Sequence, residues 1–100
     1  VEPFRERSAG KAFYSRPAAD GSRPGYYYAN LYDMNQMPIY QMEALAYHEG
    51  SPGHHMQIAL AQELEGIPEF RKFGRYTVYS EGWGLYSEFL PKEMGFYEDP

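Results

Sequence analysis

The chain has 100 residues, 43% hydrophobic and 18% aromatic, and nine Lys and Arg against fourteen Asp and Glu give it a formal net charge of −5. That length suits one small domain with a modest core. No basic stripe favours nucleic acid, no apolar run approaches the ~20 residues that cross a bilayer, and the absence of Cys excludes disulfides and thiolate metal sites.

Residues 1–10 are polar and read as irregular. Residues 12–15 and 26–32 have strand-like aromatic content. The Pro, Gly and Asp-Gly content of 16–25 predicts a turn or long loop between them, hence a β-hairpin. Pro38 fits the first turn of a helix running to about Glu49, with Ile39, Met42 and Leu45 or Ala46 as its apolar stripe. Ser51-Pro52 interrupts that helix, because Pro52 cannot donate to the His48 carbonyl and pushes Ser51 out of helical geometry. A second helix is predicted over about 54–65, with Met56, Leu60 and Leu64 at i+4 spacing, Gly66 as its C′ residue and Pro68 beyond. A short helical piece at 68–73 follows, then a last helix from about Tyr76 to Leu90, where Pro91 ends or kinks it. The fold class is α+β, mainly α: one unit with an N-terminal hairpin region, 1–36, and a helical region, 37–100.

The chain opens at Val1 and closes at Pro100 directly after Glu98-Asp99, which reads as a piece of a longer protein. The lack of a signal peptide therefore says nothing about localisation. Eleven Tyr are many for so small a core. Part of this aromatic surface is expected to meet segments outside the chain, or a second copy in a homo-oligomer.

The run His48-Glu49-Gly50-Ser51-Pro52-Gly53-His54-His55 holds the parts of a zinc-hydrolase site. In the usual arrangement two His stand at i and i+4 of a helix with Glu at i+1, and the His lie ~6 Å apart along one face. On an unbroken helix His54 would point ~120° away from His48, and His55 would sit ~10 Å further along. A bulge at Ser51-Pro52-Gly53 repairs the spacing. Two residues looped out bring His54 to the second ligand position; three bring His55. His54 needs the smaller insertion and follows Gly53 directly, so it is preferred, leaving His55 behind the ligands or facing substrate. The competing reading has Ser51 cap a new helix with Pro52 at its first position, with the His as incidental surface.

The candidate third ligand lies in Ser80-Glu81-Gly82-Trp83-Gly84-Leu85-Tyr86-Ser87-Glu88. Glu81, Leu85 and Glu88 share a helix face with Val78, and a carboxylate on an apolar face is costly to bury unless paired or metal-bound. Gly82 and Gly84 each weaken a helix by roughly 1 kcal/mol relative to Ala. Their presence points to another backbone close by, that of the His-bearing helix among the candidates. The competing reading, an amphipathic helix with two solvated carboxylates, leaves both glycines unexplained. With His48, His54 and Glu81 as ligands, one position stays open to water, as at a catalytic zinc. Glu49 is then the general base for a water whose pKa zinc lowers to ~7. Glu88, Glu43 and Tyr47, in falling order, are candidates to orient the His ligands.

These residues resemble a known family. Tyr47-His48-Glu49-Gly50-Ser51-Pro52-Gly53-His54-His55-Met56-Gln57 and the Ser80 to Glu88 run are similar to the bacterial domain of unknown function 885 family, grouped with zinc metallopeptidases of the gluzincin type. The similarity also takes in Tyr28-Ala29-Asn30-Leu31-Tyr32-Asp33 and Glu93-Met94-Gly95-Phe96-Tyr97-Glu98-Asp99-Pro100, and so most of the chain from about residue 25. It implies a mostly helical metallopeptidase several times longer than this chain, of which these residues form a partial zincin-like catalytic core. It carries metal ligation onto His48, His54 and Glu81 and catalysis onto Glu49, with Zn2+ as cofactor and peptide as substrate. It also implies that groups beyond Pro100 complete the site, and that members are often exported or lipid-anchored. In many peptidases of this type a strand before the metal helix pairs with extended substrate, and 26–32 could do so; an ordinary hairpin strand is the competing role. Trp83, Tyr26, Tyr27 and Tyr28 are candidate cleft walls, with packing as the competing use. Two other functions fit the sequence: a helical interaction domain that self-associates, and a related zinc hydrolase acting on an ester or another amide.

Overall fold

A computed structural model describes residue 5 and residues 7–98. The element order is β1 (Ala12–Ser15), β2 (Tyr26–Ala29), α1 (Ile39–Glu49), α2 (His54–Glu63), α3 (Glu69–Phe73) and α4 (Thr77–Glu93). This is the expected α+β, mainly α architecture, with the hairpin ahead of the helices. The irregular segment expected at 1–10 lies partly outside the described residues, as do Asp99 and Pro100 of the last family-like run.

The two strands pair antiparallel, with Phe13 opposite Tyr28, and those rings stack at 4.7 Å between centroids. β2 stops at Ala29 instead of reaching Tyr32. Asn30 explains this, since its Oδ1 accepts the Tyr32 N–H at 3.2 Å and turns the chain out of the sheet. The Asn30 N–H still donates to Lys11 O at 2.8 Å. That bond fixes the alternation along β1, so the main-chain groups of Ala12 and Tyr14 face away from β2.

Pro38, at φ −64°, caps α1 from just outside the helix. The stripe expected on α1 is only partly used, because Ile39 is 83% exposed while Met42 and Leu45 are half-buried. α2 begins at His54, as expected, and ends at Glu63, two residues short of the expected C-terminus. Its C-cap is Leu64, and Gly66 lies two residues further on, at φ +74°. Met56, Leu60 and Leu64 point outward; the inward face is His54, Gln57, Ile58 and Ala61, spaced i, i+3, i+4 and i+7.

α4 runs through Pro91 to Glu93. It stops in a Schellman closure: Gly95 takes φ +76°, and the Phe96 N–H donates to Pro91 O at 2.9 Å while the Gly95 N–H donates to Lys92 O at 3.2 Å. Its packed face is Gly84, Ser87 and Pro91, all buried. These small or compact side chains let α1 come close. Val78 and Leu85, expected on the inward face, are 87% and 66% exposed. Met37 is the one buried large hydrophobic side chain among the described residues. The radius of gyration of 14.8 Å, against ~13 Å for a packed 100-residue domain, agrees with so thin a core.

Candidate metal centre

The inserted turn between α1 and α2 folds so that two residues are looped out. In an unbroken helix the Tyr47 carbonyl would accept from residue 51; here it accepts from the Gly53 N–H at 3.0 Å. Gly53 therefore stands where residue 51 would, and His54 follows it in the place of the usual second His. Ser51 and Pro52 form the turn itself, so the alternative of a new helix capped by Ser51 does not hold. A Cβ on Gly53 would collide with the carbonyl oxygens of Tyr47 and His48, and only glycine lets the chain fold back this tightly. Trp83 ties the turn to α4, its Nε1–H donating to Pro52 O at 2.8 Å.

The result brings three side chains together. His48 Nε2 lies 3.4 Å from Glu81 Oε2, His54 Nε2 lies 3.6 Å from the same oxygen, and the two imidazoles meet edge-on at 4.7 Å between centroids. All three donor atoms fall within 4.8 Å of one another. A tetrahedral ion with bonds of ~2.0–2.1 Å keeps its ligands about 3.3 Å apart, close to the two His–Glu81 separations, and two imidazoles with a carboxylate are a donor set that could hold a metal ion. His55 turns away, with its Nδ1 2.9 Å from the Tyr14 hydroxyl.

Each imidazole also has a second nitrogen. His48 Nδ1 lies 2.6 Å from Glu88 Oε1, which places the ring proton on Nδ1 and leaves the Nε2 lone pair aimed at the cluster. His54 Nδ1 is buried and has no hydrogen-bond partner among the described residues. Among the described residues neither Tyr47 nor Glu43, ranked behind Glu88, hydrogen-bonds the His48 ring. The Tyr47 hydroxyl donates to Glu43 at 3.3 Å and its ring packs edge-on against Tyr97. Tyr97 in turn donates to Glu88 O at 2.7 Å, steadying the helix turn that carries the Glu88 carboxylate. Loss of an outer partner of this kind typically lowers metal affinity about 10–100-fold. The expected result for Glu88→Gln is a loss of that size in zinc affinity, read by competition against a chromophoric chelator.

The glycine pair of α4 divides. A Cβ on Gly84 would lie 2.7 Å from both Cε1 and Nε2 of His48. The position is bare because an imidazole ring, and not a backbone, lies across it. A Cβ on Gly82 would meet open space, and nothing in the structure explains that glycine. The burial argument for Glu81 also fails, since its side chain is 58% exposed. It reaches the cluster from an open edge of α4.

Glu49 is 7% exposed. Burial is the main cause that raises its carboxyl above the ordinary carboxylate range, and the Glu81 charge adds to the rise. His48, His54 and a hydrogen bond from the Tyr14 backbone oppose it. Glu49, His54 and Glu81 open into a groove of about 390 Å³, inside the range of small-ligand sites. The groove wall on the hairpin side is β1, through Ala12, Phe13 and Tyr14, instead of segment 26–32. Trp83, Tyr26, Tyr27 and Tyr28 do not line it. Tyr14, which reaches both Glu49 and His55, is the residue that sequence reasoning missed. Its only advance signal was a place in an aromatic strand.

By fold and site this is an α+β, mainly α segment with a His/His/Glu cluster of metal-binding geometry beside a buried carboxylate. The family model described as bacterial protein of unknown function (DUF885) matches residues 1–100, and the chain belongs to that family. The description names no activity. No curated protein matches the chain. In three dimensions it is similar to the crystal structure of the "putative lipoprotein from Colwellia psychrerythraea", with a TM-score of 0.94, 43% sequence identity, and coverage of 98% of this chain and 17% of that one. The chain thus spans 17% of that protein's length. No helix of the described residues is long and apolar enough to cross a membrane.

Proposed function

We propose that this chain carries the metal centre of a zinc-dependent hydrolase that cleaves peptide bonds. The observation that supports this most directly is the convergence of His48, His54 and Glu81 near buried Glu49, with His54, Glu81 and Glu49 lining an open groove. Three protein ligands leave a coordination position free, as catalytic zinc requires. When bound, zinc supplies a Lewis acid that lowers the pKa of water to ~7 and polarises a carbonyl.

The remaining work falls to the chain. Glu88 holds the His48 ring in the tautomer that presents Nε2. Glu49 accepts the proton of the attacking water and passes it to the departing amine nitrogen. The outer edge of β1 faces away from β2, and while its Tyr14 N–H holds Glu49, the Ala12 main-chain groups offer an extended substrate a place to pair.

The test uses the full-length protein. It is expected to hold about one zinc per chain and to cleave members of a peptide library, and a chelator is expected to stop cleavage that added zinc restores. Cleavage that survives complete removal of metal would refute the reading. Esters and other amides in the same screen separate peptidase from related hydrolase. The exposed apolar side chains, Ile39, Val78 and Leu85 among them, favour an additional packing role. A melting temperature indifferent to chelator would support that role alone.

A further inference from the structure

The groove is lined by charges of both signs. Among the described residues its only carboxylates are Glu49 and Glu81, both at the metal cluster, while Arg16, Arg71, Lys72 and Arg75 supply its cations. Four of the nine Lys and Arg in a chain of net charge −5 thus meet in one cavity. They come from three segments: the residue after β1, helix α3, and the link from α3 to α4. Arg71 and Lys72 also sit in the last turn of α3, where a cation offsets the carbonyl end of a helix. That explanation does not reach Arg16 or Arg75.

Lys72 is partly engaged, 3.5 Å from Glu69, and the Arg16 guanidinium sits over the Phe73 ring, 5.8 Å from its centroid. Among the described residues, neither Arg71 nor Arg75 has a carboxylate within salt-bridge distance. Both are exposed to the groove. A guanidinium presents a planar fork of donors that matches a carboxylate, so an unmatched pair of Arg is a ready receptor for one.

We infer that Arg71 and Arg75, with Arg16 beside them, form a subsite that binds a carboxylate of the peptide substrate. The inference rests on the hydrolase reading and names its substrate class. The groove face of α2 runs from His54 to Ala61, about 10 Å at 1.5 Å per residue. That is roughly three residues of extended chain at ~3.3 Å each. The carboxylate recognised is therefore expected within about three residues of the bond that is cut, either as an Asp or Glu side chain or as the free C-terminus.

The experiment measures kcat and KM of the full-length, zinc-loaded protein on a peptide set. Glu, Gln or Lys occupies each of the three positions on either side of the cut, and the C-terminus is free or amidated. A carboxylate at the matching position is expected to raise kcat/KM about tenfold over its neutral twin, mainly through KM, the size two charge-assisted pairs give in a partly open groove. Preference for Glu over Gln identifies the side chain as source, and preference for the free terminus identifies the α-carboxylate. In Arg71→Gln/Arg75→Gln the ratio of the twins is expected to fall towards one at unchanged zinc content. In Arg71→Glu/Arg75→Glu the preference is expected to pass to Lys-bearing peptides, which a damaged fold would not produce. Equal cleavage of carboxylate and neutral twins by the parent overturns the subsite and leaves the hydrolase reading standing, as does a preference that survives in the double Gln variant. If no peptide is cleaved, the hydrolase reading fails and takes the subsite with it.

Discussion

Glu49→Gln in the full-length protein is expected to keep the zinc content of the parent and to lower peptide hydrolysis about 10²–10⁴-fold, the usual contribution of a positioned general base. The side chain is buried and next in sequence to His48, yet it is not one of the three converging donors. Gln keeps its volume and an oxygen that can accept the hydrogen bond from the Tyr14 backbone. What is lost is the capacity to carry a proton. The substitution also removes a carboxylate that burial disfavours, so the folded state should not be weakened, and thermal melting checks that directly. Metal analysis and steady-state kinetics on the same preparation give the answer. A Gln variant with near-parental kcat would take Glu49 out of the proton transfer, whatever the metal content.

Much of the fold was legible in the sequence because turn chemistry is local. The Pro and Gly content of 16–25 predicted the hairpin, and Ser51-Pro52-Gly53 predicted the break between α1 and α2. The grouping of His48, His54 and Glu81 was legible for the same reason. Counting residues across the break left loops of two and of three and preferred two, and the Gly53 to Tyr47 hydrogen bond closes the loop of two. The choice of buried face was harder. Periodicity finds an apolar stripe but cannot say which covering segment it faces. Val78 and Leu85 marked the stripe of α4, yet its packed face is Gly84, Ser87 and Pro91. The latter look unremarkable in sequence because their value lies in being small or compact against α1. Gly84 was singled out for a close approach, but nothing in the order of residues says that the neighbour is an imidazole. Tyr14 and the basic residues reach the groove from distant segments and carry no shared spacing.

The exposed apolar residues bear on the same point. A chain with one large hydrophobic side chain buried among its described residues gains little from burial, and its geometry is held by polar and backbone contacts around the turn. Trp83 to Pro52, His48 to Glu88 and Tyr97 to Glu88 all lie between α4 and the residues just before or after the break, or close the end of α4. The most closely tied part of the molecule is therefore the part that presents the donor cluster. Apolar side chains of α1 and α4, Ile39, Val78 and Leu85 among them, stay exposed.

The second large effect concerns the ligands. His48→Ala, His54→Ala and Glu81→Ala are each expected to lower zinc affinity by more than about 100-fold, beyond the loss typical of an outer partner. His55→Ala is expected to retain it. Glu81→Ala is the cleanest of the four, because the side chain is 58% exposed and its removal leaves no buried cavity. A change in its metal binding therefore reports coordination and not folding. The His54 and His55 pair separates two ways of closing the same turn: a loop of two residues presents His54, and a loop of three would present His55. Zinc binding can be read as a rise in melting temperature, since a ligand at 100 times its Kd stabilises a folded protein by about 2.7 kcal/mol. That rise should vanish in the His48, His54 and Glu81 variants and persist in the His55 variant. Loss of binding in His55→Ala with retention in His54→Ala would exchange the two ligands. Retention in all of His48→Ala, His54→Ala and Glu81→Ala would mean that the cluster holds no metal, and that His48 and Glu88 pair for packing alone.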